Sequence, residues 1–144
     1  MLTQLITDRT EEDVYNGTDK GCYNYSDLNR VNSACLELLG LLTSVGYSGH
    51  GSFKTDWNMY DYPTVSAMTD YLNNIYGLIG DFYQRTAYDL PVNLQNFTYV
   101  QANDIEKALL DIKEVTDNIK ANWNRYANTF SSGMSEYGLR GYVL

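Results

Sequence analysis

A seven-residue apolar repeat occurs three times in this 144-residue chain, and each occurrence needs a partner surface to keep it out of water. From Asp27 on, Leu28, Val31, Cys35, Leu38, Leu42 and Val45 alternate three- and four-residue steps, which puts all six on one face of a helix. Ser26 can cap its start, and Gly46 stands where a left-handed residue closes a C-terminus. A second stripe, Val65, Met68, Leu72, Ile75, Ile79 and Phe82, follows Pro63 and Thr64. Thr64 can cap it, while the proline keeps the residue before it extended. The third stripe is the longest: Ala102, Ile105, Leu109, Ile112, Thr116, Ile119, Trp123, Tyr126 and Phe130. Thr98 and Gln101 have capping-box spacing at its start. At ~1.5 Å per residue, some thirty residues make a helix of roughly 45 Å.

Three such faces can hide against one another, which predicts an all-α fold: a three-helix bundle with helices at about 27–45, 64–84 and 99–130. A short helix is expected near 11–15, capped by Thr10 and stopped by Asn16-Gly17. The expected organisation is a single domain, 1–144. Residues 1–25 form an extended arm around the short helix, and 131–144 a C-terminal docking tail. Residues 47–62 and 86–97 lack either period and read as loops, the first long enough to suggest a functional role. Heptads also suit a coiled coil between chains. Loops able to fold back and make antiparallel neighbours favour the bundle.

Eighteen acids against ten bases give a net charge of −8, which repels phosphate backbones and anionic membranes and argues against nucleic acid as a ligand. Residues 1–10 lack the basic start and apolar run of a signal peptide, and no stretch approaches ~18 consecutive apolar residues, so no membrane insertion is expected. The chain reads as soluble and cytoplasmically made. In that setting Cys22, in a polar loop, and Cys35, on an apolar stripe, are read as free thiols. The three Asn-X-Ser/Thr sequences at Asn16, Asn24 and Asn96 then carry no glycan. Fourteen tyrosines against four phenylalanines favour half-exposed contact surfaces over a dry core.

Groups for catalysis are sparse. His50, the single histidine, lies in Ser48-Gly49-His50-Gly51-Ser52 with no acidic partner at close spacing and no second histidine for a metal. The neighbouring glycines lack the spacing and the Lys-Ser/Thr pair of a phosphate loop. Asp104, Glu106, Asp111, Glu114 and Asp117, interleaved with Lys107, Lys113 and Lys120, read as the solvated face of the third helix, with Asp104–Lys107 and Asp117–Lys120 paired at i,i+3. No catalytic residue, cofactor site or metal site is expected.

Three glycines are more informative. Gly40, Gly77 and Gly80 fall off the apolar stripes, on faces that also carry Leu36, Leu39, Leu41, Tyr71, Tyr76 and Leu78. Each costs up to ~1 kcal/mol relative to alanine, so another backbone is expected to approach there, from this chain or a second subunit. The aromatic run Phe53, Trp57, Met59, Tyr60 and Tyr62 is either a recognition surface or a flap over the bundle end. Leu2, Leu5 and Ile6 in the arm, and Tyr137, Leu139, Tyr142 and Val143 in the tail, must also dock somewhere. The candidate subunit contacts are therefore Trp57, Tyr60, Tyr62, Gly40, Gly77, Gly80, Tyr137 and Tyr142.

Several segments resemble small proteins and modules encoded by prophages and tailed phages of clostridia and related gut Firmicutes. They are Thr7-Asp8-Arg9-Thr10 with Asp13-Val14, then Tyr23 through Val31, Thr55-Asp56-Trp57, Pro63-Thr64, Leu90-Pro91 and Thr98-Tyr99. Asp27-Leu28-Asn29-Arg30 and Ala102-Asn103-Asp104-Ile105-Glu106-Lys107 are the most distinctive. The resemblance spans roughly residues 7 to 125 and brings no enzymatic residues with it. It implies a virion structural protein of the tail, baseplate or fibre region, with copies of itself and other virion proteins as partners. A helical adaptor or regulatory binding module is the alternative, and partner capture from the host separates the two.

Overall fold

The computed structural model describes residues 2–49, 51–82 and 88–137, and among these the side chains of all but 81, 82 and 126–137. The described residues form an all-α fold with no strand: a 3-10 turn at Leu2–Gln4, then α1 (Glu11–Tyr15), α2 (Tyr25–Ser44), α3 (Val65–Phe82) and α4 (Tyr99–Tyr137).

The helix ends follow local chemistry. Thr10 and Asp13 close a capping box on α1, as Thr98 and Gln101 do on α4, and the Thr64 hydroxyl accepts from the Ala67 amide at the start of α3. α2 starts two residues earlier than Ser26 predicts. Its cap is Asn24, whose side chain accepts from the Ser26 amide while Asp27 accepts from the Asn24 amide. Ser26 would need Asn29 to reciprocate, but the Asn29 side chain is committed to Trp57. At the other end Gly46 takes φ +95°, with its own amide bonded to the Thr43 carbonyl and that of Tyr47 to Leu42, the Schellman closure.

α4 continues to Tyr137, past the predicted end at 130, so residues 131–137 are helix where a tail was expected. The heptads stop at Phe130, but a helix stops at a breaker, and 131–137 holds one glycine and no proline. The remainder of the expected tail, with Tyr142, lies outside the described residues, as do His50 and the predicted end of the second helix beyond Phe82.

The heptad faces are buried much as the sequence predicts. Leu28, Val31, Cys35, Leu38 and Leu42 of α2, Leu72, Ile75 and Ile79 of α3, and Ala102, Ile105, Leu109 and Ile112 of α4 form the core. Tyr71 and Leu78, read as outer-face residues, are buried with them, whereas Val65 is 86% exposed. α3 therefore buries an arc wider than one heptad seam.

The helix directions differ from expectation. Arg30, early in α2, donates to Glu106, early in α4, while Ser44 to Gly46 share a cleft with Ile119 and Trp123. α2 and α4 are thus parallel. α3 points the same way, with Met68 beside Leu28 at one end and Leu78 near Leu39, across Gly49, further along.

Parallel neighbours need long return connections, and residues 45–64 and 83–98 are long enough, at ~3.3 Å per extended residue, to retrace a 30 Å helix. The first runs back along α2, with Gly49 at Leu39, Lys54 at Asn32 and Trp57 at Asn29. The second passes Asp111 at Tyr88, Asp104 at Asp89 and Tyr23 at Phe97. The N-terminal arm does the same, from Glu37 at Leu2 to Asn103 at Arg9. The arm and both return segments run antiparallel to the helices they cover.

Extended backbone outside a sheet must find other hydrogen-bond partners. Asparagines supply them by pairing a carboxamide with both polar groups of one residue: Asn29 with Trp57, Asn74 with Ser52, and Asn103 with Arg9. Cys35 is buried and burial raises its thiol pKa beyond the usual range, while Cys22 is exposed. A thiol reagent is expected to modify Cys22 at once and Cys35 at least about a thousandfold more slowly, at the rate of global opening. Equal rates in the native protein would contradict this packing.

Candidate functional site

Beneath the common end of the three helices lies a cluster of charge centred on Glu106, a residue that the heptads of the third helix assign to its solvated face. Glu106 is fully buried, with Arg9 and Asp27 at 5% and 3% exposure. One Glu106 oxygen accepts from Arg9 Nη2 and Arg30 Nη2, both at 2.8 Å, and the other from Arg30 Nε at 3.2 Å and the Ile6 amide. Asp27 accepts from the same two guanidinium groups, at 3.1 and 2.6 Å. Two cations and two anions cancel, and a buried charge is tolerable only when so paired. Burial works against the Arg30 charge, but Glu106 and then Asp27 outweigh it and push its pKa above the ordinary range.

The cluster joins three parts of the chain: Arg9 from the arm, Asp27 and Arg30 from α2, and Asn103 and Glu106 from α4. Arg9 also donates to the Ile6 and Lys20 carbonyls and stacks over Tyr23 at 5.6 Å. Asp104, also assigned to solvent, is 7% exposed and accepts from the Asp89 amide while keeping its expected partner Lys107 at 3.8 Å. Asp117 pairs with Lys113 rather than with Lys120. The reading failed at Glu106 and Asp104 because α4 is covered on several sides, the arm and the second return segment occupying its apparent polar face. A signal was available: Asp27 and Arg30 at i,i+3, and Glu106, are charged residues of the two most distinctive sequence segments.

Above this cluster the helix N-termini and both return segments frame an open cleft of about 560 Å³, lined by Tyr23, Leu28, Trp57, Met59, Met68 and Phe97 among others. A second cleft of about 490 Å³ adjoins it across Pro63, Met68 and Leu94. The Tyr23 and Tyr71 hydroxyls share a hydrogen bond of 2.8 Å at the floor, and burial raises both phenol pKa values beyond their ordinary range. Among the described residues no group of three or more His, Cys, Asp and Glu could hold a metal ion, and no helix is long and apolar enough to cross a membrane.

The aromatic segment splits between the two uses considered for it. Phe53 is 8% exposed and seals the core; Trp57 is half-buried, pinned by Asn29 and covered by Lys54, with Nζ 4.5 Å from the ring. Met59, Tyr60 and Tyr62 project outward at 69%, 85% and 94% exposure. The side chain of Tyr137, at the end of α4, lies outside the described residues.

Gly40, Gly77 and Gly80 are exposed, and beyond the adjoining helix backbone no described atom lies within 4 Å of where a Cβ would stand. Close approach does occur at Gly21, where a Cβ would sit 2.1 Å from the Asp13 carbonyl oxygen, and at Gly49, 2.2 Å from Leu39. In the isolated chain, Gly40→Ala, Gly77→Ala and Gly80→Ala are each expected to stabilise by about 0.5–1 kcal/mol, and Gly21→Ala to destabilise, as read by thermal melts. A destabilising change at the first three would show that the space is needed within one chain.

Comparison with known proteins finds no matching family model, no matching curated protein and no matching solved structure.

Proposed function

We propose that this chain is a non-enzymatic structural component of a phage particle, in the tail, baseplate or fibre region. In this reading the three long helices form a bundle that serves as a rigid spacer, and aromatic loops and the chain ends join it to its own copies and to other virion proteins. It is made in the host cytoplasm, becomes part of the virion, and uses no cofactor, nucleic acid or membrane insertion.

The observation that carries the reading is the apolar surface at the common helix end, where Met59, Tyr60, Tyr62 and Val65 stand exposed around a pair of apolar clefts. Contiguous exposed apolar surface of this kind marks interaction sites. The phage assignment rests on the sequence resemblance over residues 7 to 125. The residues of its most distinctive segments, Asp27, Arg30, Asn103 and Glu106, interlock the fold, as expected of a shared scaffold rather than of shared chemistry. Gradient-purified particles from the producing host are expected to contain this chain in many copies by quantitative peptide mass spectrometry. Its absence from particles, with recovery in a one-to-one soluble complex, would contradict the proposal.

A further inference from the structure

Among the described residues, two apolar features without a covering partner lie at opposite ends, one concave and one projecting. The concave one is the paired cleft at the helix N-termini, rimmed by Met59 and Val65. The projecting one is α4. Ser44 to Gly46, the end of α2, lie level with Ile119 to Asn124, and α4 then continues from Trp123 to Tyr137, roughly 20 Å further. Its heptad face does not stop where the core does. Ile112 and Thr116 are buried, Ile119 is half-buried, and Trp123, next in the same register, is 70% exposed.

The two ends also differ in charge. From residue 118 on the sequence carries Lys120, Arg125 and Arg140 against one acid, Glu136, whereas residues 1–117 hold seventeen acids and seven bases. Lys120 and Arg125 flank Trp123 and are exposed. The cleft end carries Asp56, Asp61 and Asp70 against Lys54, with Asp61 lining the cleft itself. A basic projection bearing an exposed indole and an acidic cleft lined by aromatic and thioether side chains are complementary in shape, apolarity and sign. Both belong to one chain, so each copy offers its neighbour what the neighbour lacks.

We propose that copies of this chain join head to tail, the α4 projection of one copy seating Trp123 in the cleft at the helix N-terminal end of the next. The contact is heterologous, so it propagates into a ring or a filament rather than ending at a dimer. The inference rests on the assembly reading above and specifies its interface. Opposed charges make the association weaken as salt rises.

Two variants of the full chain test it. Trp123→Ser removes the anchor and leaves the cleft intact; Met59→Glu spoils the cleft and leaves the projection intact. Both positions are mostly exposed, so the fold should survive, and melting curves check this. Val65→Glu, at an 86% exposed position lining the adjoining cleft, replaces Met59→Glu if that variant melts early. In sedimentation velocity, wild type is expected to grow in mass with concentration, and each variant alone to associate at least tenfold more weakly. An equimolar mixture is expected to form dimers and stop, because only one intact cleft and one intact projection can meet. Variants that assemble as well as wild type would overturn this interface while leaving the assembly reading in place. A mixture that stays monomeric would overturn the head-to-tail geometry, and a wild type that never associates would contradict the inference and count against the reading beneath it.

Discussion

Glu106→Ala is expected to cost about 3–5 kcal/mol, lowering the melting temperature on the order of ten degrees or more. The loss comes from what remains. Arg9, buried, and Arg30, partly buried, keep Asp27 as their one carboxylate, and the Ile6 amide loses its acceptor. Glu106→Gln keeps the shape but not the charge and is expected to retain most of the loss. A smaller loss is expected when the whole cluster is replaced: Arg9→Met, Asp27→Leu, Arg30→Met and Glu106→Leu together should cost less than Glu106→Ala alone, since no charge is left unpaired and what remains is the loss of acceptors for the Ile6 and Asn24 amides. Urea titrations of the three variants check this. A mild effect of Glu106→Ala would place that carboxylate in water and remove the basis for docking the arm.

Asn103→Leu is the second large effect. Leucine matches asparagine in size but offers the arm no hydrogen bonds, so the buried Arg9 amide and carbonyl both lose their partner. An unsatisfied buried polar group costs about 1–3 kcal/mol, which gives roughly 2–5 kcal/mol for the pair. The same replacement at Asn29, which clamps the more exposed Trp57 backbone, is expected to cost about 1 kcal/mol because water can substitute. Limited proteolysis adds a local reading: Asn103→Leu should expose the bond after Arg9 to trypsin long before the helices are cut. Equal losses at the two asparagines would show that the arm is no more buried than the return segment.

These expectations also mark where the sequence was legible. The three heptad faces and the caps at Thr10, Thr64 and Thr98 could be read because periodicity and capping are decided within a few residues of the helix itself. Gly46 could be read for the same reason. Glu106 could not, because a heptad identifies one seam and leaves the rest of the helix to be called polar. On α4 that remainder is covered by the arm and the second return segment, whose docking is a long-range event. Helix direction was missed although its cause was visible: residues 45–64 are too many for a tight antiparallel turn and enough to retrace α2. The asparagine clamps gave no signal either, since a carboxamide on a helix surface looks the same whether it meets water or another strand of chain.

The candidate surface was legible in part. Tyr60 and Tyr62 project into solvent as a contact surface requires, and Trp57 lies in the same segment but serves as much to pin it. Met59 and Trp123 were named only as members of a cluster and of a stripe. Their importance comes from position, at opposite ends of a parallel set of helices, which periodicity does not reveal.

Light scattering on the intact wild-type chain over a hundredfold range of concentration tests the central claim most directly. An assembly protein with uncovered apolar surface at both ends should show a mass that climbs well above that of one 16.4 kDa chain as concentration rises and falls back on dilution. A mass fixed at a single chain throughout, from protein that melts cooperatively, would contradict it.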